Sequence, residues 1–144
     1  MASVSTYLNF ARGTEQAFEF YRSVFGGEFV GGINRFGDMP PNPEHPTPES
    51  DKNLVMHVQL KILGGHSLMG SDAPESMGFT VNIGNNHYIN LEPDTKEEAD
   101  RLFGALSAGG TVEMPMQDMF WGAYWGSFTD KFGIKWMVNV NKQA

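Results

Sequence analysis

Cysteine is absent from the 144 residues, which excludes disulfides, thiolate metal ligands and cysteine nucleophiles. Basic charge is scarce: ten Lys and Arg stand against 17 Asp and Glu, giving a formal net charge of -7, and the ten form no basic run. Nucleic acid and an anionic membrane surface are therefore disfavoured as partners. Long apolar runs are missing too. No stretch approaches the roughly 18 consecutive apolar residues of a membrane span, and no basic region followed by an apolar run opens the chain. A cytoplasmic protein without membrane contact is the expectation. None of the Gly-Gly pairs sits in a P-loop or dinucleotide fingerprint. The lack of a glycine-rich strand-to-helix turn followed by an acidic ribose-binding residue likewise disfavours a methyltransferase using a nucleotide-like methyl donor.

What the chain does contain is one pattern written twice. Tyr7-Leu8-Asn9-Phe10 returns as Tyr88-Ile89-Asn90-Leu91, and the apolar helix positions Ala17, Phe20, Tyr21 and Val24 return as Ala99, Leu102, Phe103 and Leu106. Both copies end in diglycine, Gly26-Gly27 and Gly109-Gly110. The offset drifts only from 81 residues (Tyr7 to Tyr88) to 83 (Gly26 to Gly109), so an internal duplication is the reading that accounts for strand, helix and turn together. With 40% hydrophobic residues the whole chain can bury one substantial core, whereas half of it would be marginal alone. Residues 1–144 are thus read as a single domain of two modules, about 1–76 and 77–144.

The periodicities predict the same element order in each module. Module one opens with a strand at 4–10 and a helix from Thr14, taken as N-cap, to about Phe25. Strands at 28–36, 54–62 and 66–72 follow. Module two has a strand at 88–92, a helix opened by a capping box of Thr95 and Glu98 and running to about 108, then strands at 111–117, 123–129 and 134–141. Residues 77–86, rich in Gly and Asn, link the two. Asp130 opens the turn 130–133 and is read as a turn former, since an Asp there bonds its own backbone. Residues 37–53 hold five of the eight prolines, a density that neither a ladder nor a helix interior tolerates, so they form a long loop: a lid, a partner contact or a solvated insertion.

Each strand has one strongly apolar face for its helix. In the strand at 54–62 that face is Leu54, Met56, Val58, Leu60 and Ile62, with Val55, His57, Gln59 and Lys61 opposite. The opposite faces of both modules collect the candidate ligand-binding residues Tyr7, Asn9, His57, Gln59, Met69, Ser71, Tyr88, Asn90, Glu92, Met137 and Asn139. Mixed polar, aromatic and Met side chains suit a small-molecule site better than plain solvent, where Lys and Glu would dominate. His57 is the one imidazole that strand phase turns to this side, and is the candidate catalytic base. Trp121, with Tyr124, Trp125 and Phe128, could stack on an aromatic or cationic ligand, and the acidic balance favours a cation.

Tyr7 to Phe10 ahead of Ala17-Phe18-Glu19-Phe20-Tyr21, then Met56-His57-Val58, Met69 to Asp72, and above all Phe120-Trp121-Gly122 through Phe128-Thr129-Asp130-Lys131-Phe132-Gly133 to Trp136, resemble the vicinal oxygen chelate superfamily of glyoxalase I, bleomycin-resistance proteins and extradiol dioxygenases. Within it the chain looks most like the PhnB-like group. The resemblance implies an α+β fold of two βαβββ modules, a curved, mostly antiparallel sheet around a central cup with helices outside, and a homodimer. In metal-using members one His or Glu from each of four strands binds a divalent cation. Those positions fall near Ser5, Ser71 (or Met69), Tyr88 (or His87) and Asn139, which do not supply the usual ligand set. The expectation is a protein that binds a small organic ligand, aromatic or cationic, without that metal site and without a cofactor. The alternative is a metal-dependent lyase, isomerase or dioxygenase with a shifted ligand set around His57 and Glu92.

Overall fold

In the computed structural model, which describes residues 1–141, the chain divides into two units, residues 1–82 and the chain from Ile83 on. The first unit contains β1 (Thr6–Phe10), α1 (Thr14–Phe25), β2 (Asn34–Arg35), β3 (Val55–Lys61) and β4 (Ser67–Asp72). The second contains β5 (Ile89–Leu91), α2 (Lys96–Ser107), β6 (Thr111–Asp118), β7 (Ala123–Thr129) and β8 (Lys135–Asn141). Sheet order is β1-β4-β3-β2 in one and β5-β8-β7-β6 in the other. The first and last strands of each unit pair in parallel and every other pair is antiparallel. This is an α+β fold of two βαβββ units, the duplication expected from the sequence.

Each helix buries its apolar stripe on its own sheet: Ala17, Phe18, Tyr21 and Val24 of α1 against β3 and β4, and Ala99, Leu102, Phe103 and Leu106 of α2 against β6, β7 and β8. Close approach is secured by a glycine beneath an aromatic ring in both units. A Cβ on Gly70 would stand 2.6 Å from Phe18 Cε1, and one on Gly126 would stand 2.8 Å from Phe103 Cε2, inside contact distance in either case. Among the described residues no helix is long and apolar enough to cross a membrane.

Four local expectations are corrected. Gly13, not Thr14, is the N-cap of α1, and the buried Thr14 Oγ1 finds no hydrogen-bond partner among the described residues. The helix end is instead satisfied from β4: Asp72 Oδ1 accepts the Thr14 N–H at 3.0 Å while Oδ2 accepts the Val55 N–H at 2.8 Å. The capping box of α2 is half made. Thr95 Oγ1 accepts the Glu98 N–H at 3.1 Å, but both Glu98 carboxylate oxygens turn to Arg101.

The strand expected at 28–36 shrinks to Asn34–Arg35, because Gly31 and Gly32 take φ of +73° and +74° and break the extended backbone ahead of it. Finally Val55, expected on the His57 face, is buried with Val58, Leu60 and Ile62. Asn34 pairs with His57 but Arg35 with Val55, so an extra residue on β3 shifts the alternation at this point.

Candidate functional site

On the side of the first sheet away from α1, the register sets Tyr7 beside Met69 and Met69 beside Gln59, with Asn9 beside Ser71. Tyr7 and His57 lie on strands separated by β4, yet their side chains meet across it: the Tyr7 hydroxyl is 3.2 Å from His57 Nδ1, with ring centroids 5.8 Å apart and planes at 30°. Ser71 Oγ donates to Asn9 Oδ1 at 3.1 Å, and Gln59 Nε2 donates to Ser67 Oγ at 2.9 Å. All six residues picked from this unit therefore share one face. A phenol hydrogen-bonded to an imidazole can relay a proton, and Tyr7, 46% exposed, leaves room for a ligand against its ring.

In the second unit Asn90 lies beside Met137, and Asn139 beside Trp125. Asn90 Nδ2 donates to Glu92 Oε1 at 3.2 Å, and Asn139 Nδ2 donates to Asn141 Oδ1 at 2.9 Å. The repeat-related Tyr88 finds a different partner from Tyr7, donating its hydroxyl proton to Glu113 Oε1 at 3.0 Å. Lys135 Nζ donates to Glu113 Oε2 and, at 2.9 Å, to Thr129 Oγ1, and stands 5.2 Å from the centre of the Tyr88 ring. One network thus joins the Tyr88 side chain to β6, β7 and β8.

Sequence reading missed Glu113 and Lys135. Lys135 was discoverable, because it alternates with Met137 and Asn139 on the same strand. Glu113 was not, since β6 changes register between Val112 and Met114 and its phase cannot be counted.

The Lys135 ammonium, foremost, and the Tyr88 hydroxyl hold the Glu113 carboxyl below the ordinary glutamate range, and Glu113 in turn raises Lys135. A carboxyl whose folded pKa is depressed stabilises the fold above its unfolded value, and that contribution disappears as pH falls through the folded value. Urea unfolding from about pH 6 down to pH 3, spanning the ordinary value near 4.3, should therefore show a wild-type advantage over Glu113→Gln that shrinks toward acid. An advantage independent of pH would contradict this.

The aromatic cluster separates into three places. Tyr124 and Phe128 face α2: the Tyr124 hydroxyl donates to Asp100 Oδ1 at 2.6 Å, which pushes its pKa up to about 12, and Phe128 packs edge-on to Phe103. Trp125 takes the other face, opposite Asn139. Trp121 stands in the turn between β6 and β7 rather than on a strand face, 56% exposed and edge-on to Phe120, which is 97% exposed.

At positions that the metal-using pattern would fill, the side chains have polar partners within the protein. Ser71 and Asn139 donate within the protein, the Tyr88 hydroxyl is given to Glu113, and the alternative His87 has Nδ1 3.4 Å from Asn86 Oδ1. Of the shifted pair, His57 belongs to the first unit and is engaged by Tyr7, while Glu92 belongs to the second and accepts from Asn90. Among the described residues no three His, Asp or Glu side chains are grouped to hold a metal ion.

The scaffold has counterparts over nearly its whole length. Residues 6–138 match the profile of the Glyoxalase/Bleomycin resistance protein/Dioxygenase superfamily. Protein YjdN of Escherichia coli (strain K12) is 31% identical over 150 residues, covering 97% of this chain and 96% of YjdN. Among solved structures, protein PA1353 from Pseudomonas aeruginosa is 36% identical with a TM-score of 0.83, over 99% of this chain and all of that one (100%). A PhnB protein from Bacillus cereus, described as a putative 3-demethylubiquinone-9 3-methyltransferase, is 26% identical with a TM-score of 0.72, over 96% and 99% of the two chains. With its paired βαβββ units and a PhnB protein among its structural neighbours, the chain belongs to the glyoxalase/bleomycin resistance protein/dioxygenase superfamily.

Proposed function

We propose that the protein binds a small organic ligand, aromatic or cationic, on the polar strand faces, without the four-ligand metal site used elsewhere in the superfamily. The observation that carries this reading is the Tyr7–His57 pair, set among Asn9, Gln59, Met69 and Ser71. That face offers a ring to stack on, a thioether that adapts to shape, and amide, hydroxyl and imidazole groups that fix orientation. Tyr88, Asn90, Met137, Asn139 and Trp125 supply the same chemistry in the second unit, with Glu92 beside Asn90 as an anion for a cationic group.

A homodimer is part of this reading. Phe120 and Trp121 at the β6–β7 turn, with Val112 and Met114 on β6, are large apolar side chains left 41–97% exposed, and exposed apolar surface of this kind commonly marks a contact. Light scattering after gel filtration should give twice the chain mass, reverting to one chain in a Phe120→Ser, Trp121→Ser variant.

A thermal-shift screen of aromatic and cationic compounds tests the ligand reading. At about 100 times its Kd a ligand adds about 2.7 kcal/mol, which for a chain of this size raises Tm by roughly 5–10 °C. His57→Ala and Tyr7→Phe should each lose most of that shift. No hit, or hits untouched by either variant, would sink the assignment. Elemental analysis of untagged protein decides between this and the metal-dependent lyase, isomerase or dioxygenase: about one transition metal per chain would favour the enzyme.

A further inference from the structure

The proline-rich excursion between β2 and β3 is more than a solvated insertion, because it forms a half-open cavity of its own. The cavity measures about 420 Å³ and is walled chiefly by Phe36, Met39, Pro40, Pro43, Pro46 and Lys52, with a histidine, His45, also on its lining. That volume falls in the range of ligand pockets, about 300–1,000 Å³. We propose that this cavity is a separate binding site for a small aromatic carboxylate.

Three observations support it. The first is rigidity without a ladder. The prolines fix φ at four wall positions, counting Pro41, and Asn42 makes a local turn by accepting the Glu44 N–H at 3.0 Å. Fixed φ at these positions narrows the conformations open to the wall, and pyrrolidine faces suit a planar ring.

The second is that the root of the excursion is fastened at both ends. Phe36 N–H donates to Leu54 O at 3.0 Å and Gly37 N–H to Lys52 O at 2.9 Å. Arg35 grips both Glu15 carboxylate oxygens, at 2.9 and 3.0 Å, and Asn53 O at 2.7 Å. Asp51, its side chain fully buried, accepts from Arg12 at 3.0 Å and from Ser76. Fastened in this way, the root of the excursion is preformed and a ligand need not order it.

The third is charge. In a chain with 17 acidic residues none lines the cavity, and among the described residues Lys52 is the only Lys or Arg that does. Its ammonium is 2.7 Å from Glu49, but those side chains are 49% and 88% exposed. An exposed pair of this sort holds weakly, typically by less than about 1 kcal/mol, so a carboxylate entering the cavity can take the place of Glu49.

The test is methyl NMR of the full chain titrated with 1-naphthylacetate, against its neutral analogue 1-naphthylacetamide. Met39 reports on the cavity, while Met69 and Met137 report on the strand faces of the proposed function. The expected result is a saturating shift at Met39 with the other two unmoved, about tenfold weaker for the amide and in Lys52→Gln. Gly37→Ala should also weaken it, because the added Cβ would meet Lys52 O at 3.0 Å and Lys52 Cβ at 3.1 Å. Lys52 is half exposed, so Lys52→Gln keeps the fold and carries the decision if Gly37→Ala does not. No saturation, equal affinity for acid and amide, or shifts at Met69 or Met137 in place of Met39 would overturn the proposal. The strand-face reading stands or falls separately, on His57→Ala.

Discussion

Asp72→Ala should lower the unfolding free energy by about 3 kcal/mol, since it removes a carboxylate that serves two buried backbone donors. Asp72 is 3% exposed, and its two oxygens divide between the Thr14 N–H at the start of α1 and the Val55 N–H at the start of β3. With alanine there, both N–H groups are left where water cannot easily reach them. Asp72→Asn is the sharper comparison. An amide keeps one acceptor but turns its NH2 toward the second N–H, so it should recover less than half of the loss. Chemical denaturation of wild type, Asp72→Ala and Asp72→Asn measures this, and equal stability of all three would refute the role given to the carboxylate.

Asp130→Ala should cost as much or more, about 3–4 kcal/mol or roughly 6–16 °C in Tm. Oδ1 accepts the Phe132 and Ile134 N–H groups at 2.8 and 3.0 Å, and Oδ2 accepts the indole N–H of the fully buried Trp136 at 2.9 Å. One side chain therefore shapes the β7–β8 turn and also fixes the largest ring of the second core. Trp136→Phe isolates the indole contribution: it leaves the turn bonds intact and should lose only about 1–2 kcal/mol. If Trp136→Phe proved the more damaging of the two, packing rather than the carboxylate would be the main contribution.

These two aspartates also show what a sequence can and cannot disclose. Asp130 was readable as a turn former because its backbone partners are two and four residues away. Its bond to Trp136, and the capping of α1 by Asp72 across 58 residues, depend on which strands become neighbours, and no local rule contains that. Thr14 has the right chemistry at the right place for a cap. Gly13 took that position, and with a tertiary carboxylate at hand a side-chain cap was not needed.

Periodicity located both helices to within a residue or so, and every strand except the one that Gly31 and Gly32 curtail. It failed wherever a bulge altered the count, at Val55 on β3 and at Glu113 on β6. The candidate site divided along the same line. Tyr7, Asn9, Met69 and Ser71 follow from plain alternation on β1 and β4, whereas the partnership of Tyr7 with His57 across an intervening strand, and of Tyr88 with Glu113, required the sheet itself.

The parallel pairing of first strand with last has a consequence in time. β1 is joined to the sheet only through β4, so during synthesis the first strand must wait until the chain has grown to Asp72 before it has anything to pair with. The N-terminus of α1 waits for the same residue. No truncation short of that point can assemble the first unit, and closure over so long a stretch is the slow kind. The second unit repeats the delay, with β5 idle until β8 is made. A nascent chain of this protein therefore passes through two separate intervals of vulnerability, each ended by the arrival of a single strand.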